Sequence, residues 1–175
     1  MVIATIPAAL FGFFFDDIIE NTLTSYFFLS ITFFITGLIL LGTKFFPLNN
    51  KNNKNKNLNY KNSLFIGLFQ TLALFPGISR SGMTISTGLF SGIKKEKAVK
   101  FSFLLFIPLA LGAVVLSFGD FYFSLSLAIA FIVCFLLSLL FLNLLYIIIR
   151  ENFFWMFSIY CFLASIASFV LGVLN

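Results

Sequence analysis

The chemistry in this chain is concentrated in Leu74-Phe75-Pro76-Gly77-Ile78-Ser79-Arg80-Ser81-Gly82-Met83-Thr84, a polar interruption between two apolar runs. Arg80 is the one arginine away from a predicted membrane edge, with Ser79, Ser81 and Thr84 beside it. A helix starting near Ser81 would turn its unpaired N–H groups and the positive end of its dipole toward the same spot. A guanidinium, small hydroxyls and a helix N-terminus together describe an anion site, most naturally one for phosphate. An arginine placed at a bilayer centre costs about 2.5–3.5 kcal/mol on insertion scales, which makes it a functional candidate by default.

The elements around this stretch set its depth. Residues 63–93 read as a re-entrant element: a short apolar run from Ser63 to Phe75, a Pro76-Gly77 break, the polar tip, and a second run from Met83 to Ile93. Neither run reaches the ~20 residues that a crossing helix needs. Irregular backbone at that depth requires burial in protein or a watery cavity. On spacing alone the stretch also reads as an ordinary cytoplasmic loop with a basic residue and a proline turn.

The rest of residues 1–175 reads as one all-α polytopic membrane domain. Of its residues 61% are hydrophobic and 10% charged, and 28 are phenylalanine. That composition excludes an ordinary soluble domain. Spans are predicted over residues 26–46, 101–118, 121–149 and 153–174, and residues 47–62 form a basic cytoplasmic loop. Residues 2–15 would cover only about 21 Å as a helix, a partial span that implies further residues in front of Met1. Gly37 and Gly42 suit close helix contact, as does the Thr84, Gly88, Gly92 stripe. Gln70, alone in its apolar run, reads as an interhelical hydrogen-bond partner.

The net charge of +5 comes from lysine clusters. These orient the chain, with the lysine loops and Arg150 in the cytoplasm and the Asp16–Glu20 linker, Asp120 and Asn175 outside. They also suit contact with membrane lipid headgroups. No nucleic-acid partner is expected, because aromatics that would stack bases are lacking from the lysine-rich loop apart from Tyr60. Cys134 and Cys161 read as buried free thiols, with no metal or disulfide pairing expected.

Pro76-Gly77-Ile78-Ser79-Arg80-Ser81-Gly82-Met83-Thr84, followed by Phe101-Ser102-Phe103-Leu104-Leu105-Phe106-Ile107-Pro108, resembles the second signature region of the bacterial undecaprenyl-diphosphate phosphatase family, known for bacitracin resistance. Ile3-Ala4-Thr5-Ile6-Pro7-Ala8 is similar to the start of that family's central portion, and the similarity runs in order through nearly the whole chain. The resemblance implies half of an inverted-repeat architecture in the bacterial inner membrane. It implies hydrolysis of undecaprenyl diphosphate to undecaprenyl phosphate and inorganic phosphate, recycling the lipid carrier for cell-wall synthesis. Arg80 takes the catalytic, phosphate-clamping role, with Ser79, Ser81, Thr84, Gly77 and Gly82 binding substrate. The family's first signature, with an acidic pair, a Pro-x-Ser-Ser stretch and a histidine, has no counterpart here, and the chain contains no histidine. No cofactor is therefore expected on this chain. A divalent cation, Mg or Ca, would come through a missing N-terminal half, and the partners expected are an N-terminal half protein or further copies of the chain in a homo-oligomer. The other readings are a flippase or transporter of an anionic lipid or solute, since a broken helix also suits translocation, and an inactive fragment.

Overall fold

The computed structural model describes residues 4–12, 14, 25–45, 58–116 and 124–174. The acidic linker, Asp120, Asn175 and most of the basic loop lie outside the described residues. Among the described residues the chain is helical, without extended strands, and it forms a multi-pass membrane architecture. The elements are α1 (residues 4–12), α2 (Tyr26–Phe45), α3 (Tyr60–Thr71) with a 3₁₀ turn (Leu72–Leu74), α4 (Arg80–Phe90), α5 (Lys95–Leu116), α6 (Leu125–Arg150), a 3₁₀ turn (Phe154–Met156) and α7 (Phe157–Leu174). Four helical stretches, Tyr26–Phe45, Lys95–Val115, Leu125–Arg150 and Phe154–Leu174, are long and apolar enough to cross a membrane.

α2 and α7 form an antiparallel pair. Phe27 meets Phe169 at one end, and Phe34 meets Phe162 further along. Between them the Ser165 hydroxyl donates to the Ser30 carbonyl at 2.8 Å. Small residues make this approach possible: a Cβ at Gly37 would lie 2.8 Å from the Phe162 ring. Dispersion and interhelical hydrogen bonds hold such pairs where lipid removes the hydrophobic drive between helices.

α3 and α4 are too short to cross, covering about 18 Å and 16 Å at 1.5 Å per residue. They fold back on one another as a hairpin, Gly88 lying near Ile66. α1 rests on the outside of α3, where Ala4 is fully buried against Gly67. Gly82 through Leu89 are all buried, so α4 forms the inner element between α2, α3 and α5. Gly88 meets Ala98 of α5, and the Thr84 and Ser102 hydroxyls are 2.6 Å apart. The third member of the small-residue stripe does something else. Gly92 adopts φ +79° and ends α4, with the Ile93 N–H donating back to the Gly88 carbonyl at 3.1 Å. That is the left-handed helix stop for which glycine is suited.

α5 begins at Lys95, earlier than the 101 expected from apolarity alone. Lysine and glutamate are good helix formers, Glu96 suits the positive end of the helix, and Ala98 and Val99 are buried. The basic residues therefore ride on the helix instead of preceding it. Lys95 donates to the Arg150 carbonyl at 3.2 Å and to the Asn152 side chain, while Lys44 stands 4.2 Å from the Trp155 ring centroid. Lys44, Lys95 and the Arg150–Asn152 turn thus share one end of the bundle.

Candidate anion-binding site

The Pro76-Gly77 break is held by α2. Thr32 Oγ1 donates to the Pro76 carbonyl at 2.7 Å, and Thr36 Oγ1 donates to the Gly77 carbonyl at 3.2 Å. Gly77 sits at φ +89° with a Cβ position that would collide with Thr32, so glycine is required twice over, by conformation and by space. Broken backbone at membrane depth needs such partners for its exposed carbonyls. The two threonines, one helical turn apart on α2, supply them.

These contacts also act as a ruler. Thr32 lies about 9 Å along α2 from Tyr26, and Thr36 about 14 Å from Phe45, at 1.5 Å per residue. On the other side Arg80 Nη2 donates to the Leu105 carbonyl at 3.2 Å, midway along α5. Two helices that reach from end to end of the bundle therefore place the tip near their centres.

Ser79 caps α4, its hydroxyl accepting from the Gly82 N–H at 3.1 Å. Arg80 opens the helix. Its guanidinium is half-buried, lies 4.9 Å from the Phe106 ring centroid and makes one hydrogen bond among the described residues, to Leu105. A guanidinium carries five N–H donors, so most of its donor capacity is not taken up by the described protein groups. Pro108 in the same stretch of α5 lacks the N–H that would bond the turn below it, next to the carbonyl that receives Arg80.

The residues expected to surround one anion divide among three places. Arg80 lines a cavity of about 420 Å³ with Gln70, Phe106 and apolar residues of α1, the α3 turn and α5. Gly77, Ser79, Ser81 and Gly82 line a second cavity of about 430 Å³, walled by aromatic residues including Phe33, Phe157 and Tyr160. Thr84 lines neither: it is 2% exposed and its hydroxyl is engaged by Ser102 and the Arg80 carbonyl. Successive helical residues point about 100° apart, so neighbours in sequence at the helix start face different walls.

Gln70 is the residue that sequence reasoning placed differently. It is 2% exposed, yet neither its Oε1 nor its Nε2 has a hydrogen-bond partner among the described residues. It is not the interhelical bridge expected of it. A buried polar group left unpaired costs about 1–3 kcal/mol. The signal in the sequence was its isolation, a lone carboxamide ten residues before Arg80 on the other arm of a hairpin.

No group of three His, Cys, Asp or Glu residues able to hold a metal occurs among the described residues. Cys134 and Cys161 are free thiols, and Cys134 is exposed on α6 instead of buried. The chemistry this site supports is recognition of negative charge at mid-depth.

Comparison with known proteins carries the same residues into context. The family model described as bacitracin resistance protein BacA matches residues 1–167. The undecaprenyl-diphosphatase of Methanococcus maripaludis (strain C7) is 40% identical over 169 residues, covering 94% of this chain and 66% of that protein. That of Thermosipho africanus is 40% identical over 173 residues, covering 98% of this chain and 68% of its own length. That of Thermotoga maritima is 37% identical over 172 residues, covering 98% and 70%. The chain thus spans about two thirds of the length of the curated relatives it matches.

Proposed function

Because this chain belongs to the bacitracin resistance protein BacA family, we propose that it serves the hydrolysis of undecaprenyl diphosphate in the bacterial inner membrane. The products are undecaprenyl phosphate, returned to cell-wall synthesis, and inorganic phosphate. The observation that carries this reading is a guanidinium at the centre of the bundle with one hydrogen bond among the described residues and a cavity in front of it. The long apolar tail of the substrate belongs in lipid, so its headgroup must be met within reach of the membrane. Arg80 offers a planar fork of donors matched to two phosphate oxygens. It keeps its charge when partly desolvated, where a lysine would lose it.

Water attacks the terminal phosphorus, and the bond from that phosphorus to the bridging oxygen breaks. The departing lipid phosphate takes the electron pair. Arg80 offsets the charge carried by the phosphate oxygens, the role in which fixed cations contribute most to such reactions. The attacking water must also lose a proton. We assign that task to carboxylates of a second segment, in a longer polypeptide or a companion chain, because no described carboxylate approaches Arg80. A divalent cation does not fit the cavity of Arg80, whose hydrogen-bonding side chains are a guanidinium and a carboxamide. Any such ion belongs with the acidic segment.

The test is phosphate release from undecaprenyl diphosphate in proteoliposomes. The chain alone is expected to release none, and co-expression with an acidic, histidine-containing N-terminal segment of the family is expected to restore release. Robust turnover by the isolated chain would overturn the division of labour. Movement of the lipid between leaflets, with no release in either preparation, would overturn the phosphatase reading in favour of translocation.

A further inference from the structure

We infer that Gln70 is a second ligand of the phosphate bound at Arg80, its Nε2 donating to a phosphate oxygen. The inference rests on reading the cavity of Arg80 as an anion site.

Three observations lead here. Ser63, Ile66, Gly67 and Gln70 are the buried residues of α3, spaced along one helical face, so the carboxamide is turned into the protein and away from lipid. That face brings it to the wall of the cavity that Arg80 lines, with the hairpin closing α3 onto α4. Among the described lining residues, Gln70 and Arg80 are the two whose side chains carry hydrogen-bonding groups; the others are alanine, leucine and phenylalanine. Both polar atoms of the carboxamide are unpaired among the described residues although Gln70 is 2% exposed. Buried groups in this condition call for an explanation, and a bound ligand is one.

The residue type suits the task. A glutamate there would pair with Arg80 and set its own charge against the diphosphate. A carboxamide donates from Nε2 without either penalty. Its Oε1 can accept from a water hydrating the headgroup. A neutral donor next to a fixed cation also tightens geometry: two groups on separate arms of the hairpin define where the phosphate sits.

Detergent-solubilised chain is titrated with inorganic pyrophosphate by isothermal calorimetry, and the melting temperature is read on the same samples. Gln70→Met replaces the carboxamide with an apolar side chain of similar length. We expect the Kd for pyrophosphate to rise about tenfold or more, the loss of one hydrogen bond to a charged ligand. The melting temperature should stay level or rise, since two unpaired buried atoms disappear. Gln70→Glu should weaken binding at least as much. A wild-type Kd in both variants overturns the inference while leaving the anion site standing, provided Arg80→Ala abolishes binding. Binding by neither wild type nor Arg80→Ala removes the anion-site reading and this inference with it. Should Gln70→Met fail to fold, Gln70→Asn keeps the carboxamide but shortens its reach. Weakened pyrophosphate binding supports the inference, and an unchanged Kd overturns it.

Discussion

α4 and α6 are opposites in composition, and their burial is the reverse of what water would select. α4 is short and rich in hydroxyls and glycine, and eight of its 11 residues are buried. α6 has 26 residues, dominated by leucine, isoleucine and phenylalanine, yet Ile149 is its one buried residue. In water the apolar helix would lie inside. Lipid is as apolar as leucine, so it leaves α6 where it is and gives no reward for burying it. What lipid cannot do is satisfy backbone and hydroxyl groups. The helix that carries the broken turn, the cap and Arg80 is therefore enclosed, and the plain span faces outward.

The comparison can be broken at its outer side first. Leu137 lies near the centre of α6 and is about half exposed. Leu137→Arg should cost about 2.5–3.5 kcal/mol in insertion and reduce the fraction of chain integrated, as measured by carbonate extraction. In a water-facing helix the same change would leave stability nearly unaltered. Leu136→Ala on the same helix should shift stability by only about 0.5 kcal/mol or less.

On the inner side the contacts leave no slack. A Cβ at Gly88 would already stand 3.0 Å from that of Ala98. Gly88→Leu should destabilise by about 1–3 kcal/mol through overpacking, read as a lowered midpoint in thermal unfolding in detergent. Thr84→Val is a gentler probe of the same packing. It keeps the shape but deprives the Ser102 hydroxyl of its 2.6 Å partner, at about 1–2 kcal/mol. Pyrophosphate affinity should be unchanged, because Thr84 lines neither cavity.

Much of this was legible in the chain, for stated reasons. The all-α membrane fold follows from the apolar runs, and the Pro76-Gly77 break with Arg80 beside it marks the tip. The Ser79 cap and the Gly77 turn also obey local rules. What remained hidden was set by distant partners. Nothing in the spacing of α2 says that Thr32 and Thr36 hold the carbonyls of residues 44 and 41 positions onward. The separation of Arg80 from Ser79 and Ser81 into different cavities depends on which walls surround the helix start. Gln70 was misjudged because a lone buried amide usually finds a protein partner, and here it has none. The early start of α5 reflects lysines that favour helix as readily as they mark a membrane edge.

The central claim is that the donor fork of Arg80 holds the diphosphate, and phosphate release by Arg80→Lys tests it most directly. The acidic segment and the chain are co-expressed in membranes at matched levels, with undecaprenyl diphosphate as substrate. Lysine retains a charge but not the two parallel donors. We predict a large loss of turnover with the melting temperature preserved, and a deeper loss for Arg80→Ala. Near wild-type turnover by Arg80→Lys would contradict the account and reduce Arg80 to a residue that ties α4 to the Leu105 carbonyl.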